Sequence, residues 1–96
     1  MTEVASQLRR DDILVFRRGV RLQFERSQNC WVLLYPEGMV QLSDSASAIL
    51  KLLDGIRNIE EIIRCLDESY NSDTGSDVIE FLETAHERRW ITRIVR

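Results

Sequence analysis

Few residues in this 96-residue chain have the type and spacing that catalysis requires. The single histidine, His86, has no neighbouring pattern of side chains that would orient it as an acid or a base. The two cysteines, Cys30 and Cys65, lack the second pair that a zinc cluster needs. The chain also has no glycine-rich phosphate loop and no nucleophile elbow. We therefore predict that it has no catalytic residues, binds no metal and carries no cofactor.

The composition is that of an ordinary globular domain, with 44% hydrophobic and 30% charged residues. No apolar run approaches the ~20 residues that cross a bilayer, and the N-terminus lacks the apolar segment of a signal peptide. We therefore predict a cytoplasmic protein that keeps its cysteines reduced and does not bind membranes. The formal net charge of -3 disfavours general binding to nucleic acid, although arginines are concentrated near the N-terminus. We interpret this cluster mainly as a solvated surface; its members are Arg9, Arg10, Arg17, Arg18, Arg21 and Arg26.

The chain divides into a short arm and one domain. Residues 1–12 are polar and lack periodicity, which predicts a flexible N-terminal arm, and residues 13–96 form the domain. The apolar run at residues 13–16 has three interpretations: a strand, a clasp on a partner, or a segment exchanged between the two copies of a dimer. The sequence therefore leaves open whether the protein is a monomer or a weak homodimer.

Three short strands are expected before the first helix. Residues 20–25 alternate apolar and polar side chains, which is typical of a half-buried strand. Residues 30–35 are apolar at nearly every position, as expected of a central strand. Pro36 and Gly38 favour a tight turn, so residues 39–42 return as a third strand.

Capping residues mark the first two helices. Ser43 and Asp44 offer an N-cap to a first helix that we expect Gly55 to end. Asn58 and Glu61 resemble the capping box that begins a second helix. Both helices have apolar residues at helical spacing, so each should bury one face.

The third helix, which we expect to begin near Ser76 or Asp77, has a wide apolar arc. Leu82 lies at the centre of the arc, Phe81 lies on one flank, and Ile79 and His86 lie on the other. Acidic side chains lie on the opposite side of the helix. One core contact does not need so wide an arc, which leaves two interpretations open: one flank is available to a ligand, or both flanks pack on the sheet and the first helix. The sequence does not distinguish which flank a ligand would use.

The order of these elements predicts an α+β, winged-helix-like fold in which a three-stranded antiparallel sheet is followed by a three-helix bundle. The third strand would be a sheet edge without the charge or proline that usually blocks stray pairing, so it could accept a peptide as an added strand. Two alternatives stay open. Residues 91–95 could form a last strand that covers this edge, or the fold could be a winged-helix nucleic-acid-binding or transcriptional regulator domain. The acidic face of the third helix argues against the second alternative.

The chain resembles the PqqD family of pyrroloquinoline quinone biosynthesis over roughly residues 18–91. The resemblance rests on two groups of positions. The motifs are Arg18-Gly19-Val20-Arg21-Leu22, Tyr35-Pro36-Glu37-Gly38, Leu42 and Leu53-Asp54-Gly55, and the apolar positions are Ile62, Ile63, Leu66, Phe81, Leu82 and Trp90. One position departs from the family pattern: Arg89 stands where the family usually has a glycine. We therefore expect the third helix to end without a left-handed residue.

Proteins similar to PqqD are noncatalytic chaperones that bind a precursor peptide, PqqA, and present it to PqqE, a radical S-adenosylmethionine enzyme. The resemblance implies the same function and the same two partners here, with the iron–sulfur clusters belonging to the enzyme. It also implies that the peptide lies between the third strand and the third helix. Carried over by position, the binding residues are Met39, Val40, Gln41 and Leu42 on the strand, and Ile79, Leu82, His86 and Arg89 on the helix.

Overall fold

The computed structural model describes residues 8–94, so residues 1–7 of the predicted arm and Val95 of the predicted last strand lie outside the described residues. The described part has the predicted α+β architecture, a three-stranded antiparallel sheet followed by three helices. Its elements are β1 (Leu14–Phe16), β2 (Arg21–Glu25), β3 (Cys30–Tyr35), β4 (Gly38–Gln41), α1 (Asp44–Leu50), α2 (Ile59–Tyr70), α3 (Gly75–Glu87) and β5 (Ile91–Arg93). Within residues 8–94, every helix is too short or too polar to span a membrane.

The strands form two sheets. β2, β3 and β4 make an antiparallel meander with β3 in the centre, so β2 and β4 are its edges. β1 and β5 make a separate antiparallel pair in which Phe16 lies opposite Ile91. The apolar run at residues 13–16 is thus paired within its own chain. Because β5 pairs with β1, it does not cover β4, and within residues 8–94 no strand pairs with the outer edge of β4.

The first two helices begin at the predicted caps. The Ser43 side chain accepts a hydrogen bond from the Ala46 amide at 3.1 Å, and the capping box of Asn58 and Glu61 is complete. The end of α1 was predicted wrongly, because the helix stops at Leu50 rather than at Gly55. After Leu50 the backbone continues in tighter turns, with amides bonding to carbonyls three residues earlier.

The end of α3 also differs from the prediction. Arg89 adopts a left-handed conformation with φ of +65°, although it carries a side chain. The physical reason is the sharp reversal into β5: the Trp90 amide reaches back to the Ala85 carbonyl at 3.0 Å. That bond closes the helix only when the preceding residue is left-handed, whatever its type. Arg89, at the position where the family usually has a glycine, therefore adopts the left-handed backbone conformation.

The core lies between the inner face of the meander and the three helices, and Leu33, Leu50 and Leu82 are fully buried in it. Residues 8–12, which we expected to belong to a flexible arm, lie against the helices. The Leu8 amide donates to the Glu83 carboxylate, and the Ile59 amide donates to the Asp12 carbonyl at 3.0 Å. The proposed division into an arm and a domain at residue 12 stays a prediction.

Candidate functional site

The outer edge of β4 presents the backbone groups of Met39 and Gln41. Leu42 donates its amide to the Trp31 carbonyl on β3 at 2.9 Å, so Leu42 bonds inward. Residues along an antiparallel strand alternate between bonding to a given neighbour and bonding away from it. Val40 therefore also bonds inward, whereas Met39 and Gln41 direct their N–H and C=O groups away from β3. These four groups are the ones that an added strand would meet.

The side chains of β4 divide in the same way. Val40 and Leu42 are half-buried and pack against the core, so they hold the strand in place. Met39 is 50% exposed and Gln41 is exposed, on the opposite face of the sheet. Gln41 also donates a side-chain hydrogen bond to Gln28. The four strand residues predicted from the sequence thus have two roles, with the outward backbone supplied by Met39 and Gln41.

Two cavities, one at each end of β4, are lined both by residues that flank β4 and by residues of α3 or the residues just after it. The first is lined by Ser43, which follows the C-terminal end of β4, and by Phe81 of α3. The second is lined by Pro36, which precedes the N-terminal end of β4, and by Arg88 and Arg89 at the end of α3. From the first cavity to the second, α3 therefore runs in the direction opposite to β4, and we call the space that joins these two cavities along β4 the groove.

The cavity at the C-terminal end of β4, which we call the apolar cavity, has a volume of about 480 Å³. Its walls come from all three helices and are mainly apolar. The apolar members are Ala46, Ile49, Leu66, Tyr70, Val78 and Phe81. Small-molecule pockets of ~300 Å³ and more already enclose ligands, so this cavity can take an apolar side chain of a bound peptide.

Hydrogen bonds connect α2 to the start of α3, and both helices line the apolar cavity. The backbone amide and the Oγ1 hydroxyl of Thr74 both donate to the Asp67 carboxylate at 2.7 Å. These bonds stabilise the charged carboxylate and lower the pKa of Asp67, with the backbone amide as the larger cause. Asp67 lies near the end of α2 and Thr74 precedes α3, so the contact fixes the spacing of the two helices.

The structure brings together only some of the helical residues predicted from the sequence. Leu82 is fully buried in the core, and Ile79 lies on the far flank from Phe81. Glu83, one turn beyond Ile79, accepts the Leu8 amide, so the N-terminal segment runs along that flank. Phe81 instead lines the groove beside β4. The sequence did not single out Phe81, because the two flanks of α3 are equally apolar.

The two remaining helical residues of the prediction, His86 and Arg89, lie at different places in the structure. His86 is half-buried on the Ile79 side of α3, away from Phe81. Arg89 lines the second cavity at the N-terminal end of β4. In the part of the chain that the structure describes, no three His, Cys, Asp or Glu side chains are placed to hold a metal ion.

The fold is that of a small winged-helix-like domain in which, within residues 8–94, the outer edge of β4 is unpaired. A family model described as Coenzyme PQQ synthesis protein D (PqqD) matches residues 30–91. The chain belongs to the PqqD family, as its resemblance predicted.

Relatives and solved structures agree with this assignment. A PqqA binding protein of Azotobacter vinelandii is 55% identical over 83 residues, which cover 84% of this chain and 90% of that protein. A PqqA binding protein of Klebsiella pneumoniae is 47% identical over 87 residues, or 88% of this chain and 95% of that protein. The solution NMR structure of the PqqD part of Methylobacterium extorquens PqqCD, described as a functional and stand-alone RiPP recognition element, matches with a TM-score of 0.79. It is 33% identical and the match covers 92% of this chain and 97% of that one.

Proposed function

We propose that this protein is a noncatalytic peptide chaperone of pyrroloquinoline quinone biosynthesis that binds the precursor peptide PqqA. The observation that carries the proposal is the groove between the open edge of β4 and the Phe81 flank of α3. The ligand is supported by relatives that bear the name PqqA binding protein. The matched Methylobacterium structure, a RiPP recognition element, supports the same class of ligand.

The peptide binds by adding a strand to β4. Met39 and Gln41 each offer one donor and one acceptor, worth about 1 kcal/mol net per hydrogen bond. An apolar peptide side chain in the apolar cavity adds about 1.5–3 kcal/mol. Association and ordering cost ~4–15 kcal/mol, so even at the lower end of that cost these contacts alone give binding of about millimolar strength or weaker. Further contacts along the groove must supply the rest of the affinity.

The opposite edge of the sheet, β2, is a less favourable site for an added strand. Because β3 bonds to β4 through alternate residues, its remaining residues bond to β2, which leaves Leu22 and Phe24 with outward backbone groups. Arg21 and Glu25 place a charge at each end of β2, and edge charges disfavour strand addition. β4 has no charged residue.

Presentation of the bound peptide to PqqE is the second part of the proposal. By holding the precursor and the enzyme together, the chaperone raises the local concentration of the peptide at the enzyme. One chain supplies both walls of the groove, so a monomer suffices and a weak homodimer would add nothing to the site. The two unpaired cysteines are consistent with action in a reducing cytoplasm.

A crosslinking assay tests the chaperone function. PqqE joins a Glu and a Tyr of PqqA, and the rate is measured with limiting peptide and increasing amounts of this protein. We expect the rate to rise until the protein is about equimolar with the peptide, and no product with this protein alone. A full rate without the protein would contradict the proposal.

A further inference from the structure

The cavity at the N-terminal end of β4, which we call the arginine pocket, collects positive charge from distant parts of the chain. It has a volume of about 390 Å³ and combines the β1–β2 turn, the β3–β4 turn and the end of α3. Its arginines are Arg17, Arg18, Arg88 and Arg89. Glu37 is the single acidic residue in this lining. The pocket is therefore locally cationic, although the whole chain has a net charge of -3.

The four arginines of the pocket take no part in the ion pairs formed among residues 8–94. Across residues 8–94, the ion pairs within 4.0 Å involve other arginines: Arg9, Arg10, Arg57, Arg64 and Arg93. Four positive charges in the lining of one pocket repel one another, which raises the free energy of the empty pocket. An anion that enters the pocket relieves this repulsion.

The floor of the pocket positions one of these cations. The Trp90 and Tyr35 rings lie with their centroids 6.0 Å apart, and Trp90 is buried. The guanidinium of Arg88 lies 5.6 Å from the Trp90 ring centroid, within the range of a cation–π contact. A cation held on a rigid aromatic floor loses less conformational entropy when it binds an anion.

Arg89 reaches the pocket from a strained backbone. Its φ of +65° is unfavourable for a residue with a side chain relative to glycine. Strain of this kind is concentrated at functional sites, where a particular side chain is needed despite its cost in stability. Arg89 is therefore a second cation whose position favours a role in binding.

We infer that the arginine pocket binds a carboxylate of the peptide that occupies the groove, so that the ligand is an acidic peptide with an Asp or Glu near one end of the added strand. The inference rests on the proposed function, because the pocket adjoins the groove. Arginine forks bind carboxylates through two parallel hydrogen bonds. The four residues of β4 span ~13 Å at 3.3 Å each, so the acidic residue lies about four or five positions from the apolar residue in the apolar cavity.

A peptide fits the pocket better than a nucleic acid does. The exposed face of α3 carries Glu80 and Glu87, which would repel a phosphate backbone lying along the helix. The edge of β4 next to the pocket offers backbone pairing that only a polypeptide can use.

The test is a titration of the full-length protein with PqqA and with PqqA variants in which each Asp or Glu is replaced singly by Asn or Gln. Arg18→Gln and Arg88→Gln should each weaken binding of unmodified PqqA about threefold to tenfold. Arg26→Gln, in the exposed turn between β2 and β3, removes the same charge outside the arginine pocket and should leave the affinity unchanged. For one acidic position of the peptide, replacement should abolish the effect of the Arg18→Gln substitution.

The same titration, monitored by amide NMR, distinguishes a failure of this inference from a failure of the proposed function. If a variant with all four arginines replaced by Gln binds PqqA as tightly as the wild type while the Met39 and Gln41 amides still shift, the arginine pocket is not a carboxylate site and the groove stands. If those amides do not shift in the wild-type protein, the groove itself is wrong. If the four substitutions weaken binding of a 20-base-pair DNA duplex more than binding of PqqA, the pocket binds phosphates and the inference is overturned.

Discussion

The Leu8 amide lies 2.9 Å from the Glu83 carboxylate, a contact between residues 75 positions apart that places the N-terminal segment on one flank of α3. Ile79 and His86 lie on this covered side of the helix. Phe81 lies on the other side, where it lines the apolar cavity next to β4. The two flanks look alike in the sequence, and this single long-range contact distinguishes them.

Phe81→Ala should weaken PqqA binding about tenfold or more, because it removes an aromatic wall of the apolar cavity. Ile79→Ala is the matched control, since Ile79 is also a half-buried apolar residue of α3 but lies on the covered flank. Calorimetric titration measures both affinities, and circular dichroism at the same temperature verifies that each variant is folded. Equal losses of affinity in the two variants would show that the groove does not use the Phe81 flank.

Gln41→Pro should weaken PqqA binding by about 1 kcal/mol, or about fivefold, because it removes one outward backbone donor from β4. The amide of Gln41 points away from β3, so proline at this position leaves the pairing of β3 and β4 intact. Gln41→Ala retains the amide and loses only the side-chain bond to Gln28, and it should bind like the wild type.

Val40→Pro is the contrasting variant on the same strand. In the wild type the Val40 amide bonds inward to β3. Proline at this position should therefore break the pairing of β3 and β4 and lower the free energy of unfolding by about 3 kcal/mol. Thermal unfolding followed by circular dichroism compares the two proline variants. A Gln41→Pro protein that is as unstable as Val40→Pro would contradict the assignment of inward and outward groups.

Arg89→Gly should stabilise the fold while weakening the arginine pocket. Relief of the left-handed backbone is worth about 1 kcal/mol, which raises the melting temperature of a domain of this size by about 4–8 °C. Arg89→Ala removes the same guanidinium without relieving the backbone, so it should not raise the melting temperature. Calorimetric scans of the wild type, Arg89→Gly and Arg89→Ala measure the melting temperatures. A lower melting temperature for Arg89→Gly than for the wild type would show that the backbone at Arg89 is not strained.

Asp67→Asn should make stability less sensitive to acid. The hydrogen bonds from Thr74 lower the pKa of Asp67 below the ordinary value of about 3.9. The ionised carboxylate thus stabilises the fold fully above about pH 4, and this contribution is lost as the pH falls through the lowered pKa. Urea unfolding at several pH values from 7 to 2 should show Asp67→Asn less stable than the wild type at pH 7, with the difference disappearing at the acid end. A constant difference would exclude the charge as the cause.

Local signals predicted most of the fold. The capping residues Ser43, Asn58 and Glu61 act on amides within three positions, so the starts of α1 and α2 are visible in the sequence. The turn at Pro36 likewise fixes where β3 ends and β4 begins. The end of α1 was missed because the apolar residues after Leu50 continue the helical spacing, although the backbone tightens there.

Long-range contacts account for what the sequence did not predict. The pairing of β1 with β5 joins opposite ends of the chain, and no local pattern specifies a partner at that distance. The arginine pocket has the same origin, since Arg17 and Arg88 meet only after α3 has packed. The strand side of the groove was predictable from the uncharged edge, whereas the helix side depended on where Leu8 lies.

Amide hydrogen exchange of the free protein and of its PqqA complex, measured by NMR, tests strand addition to β4 most directly. Strand addition predicts that the amides of Met39 and Gln41 exchange freely in the free protein and at least tenfold more slowly in the complex, whereas the Val40 amide is protected in both states. Protection that appears instead at the amides of Leu22 and Phe24, on the other edge of the sheet, would contradict it. So would a complex in which none of these amides changes its exchange rate.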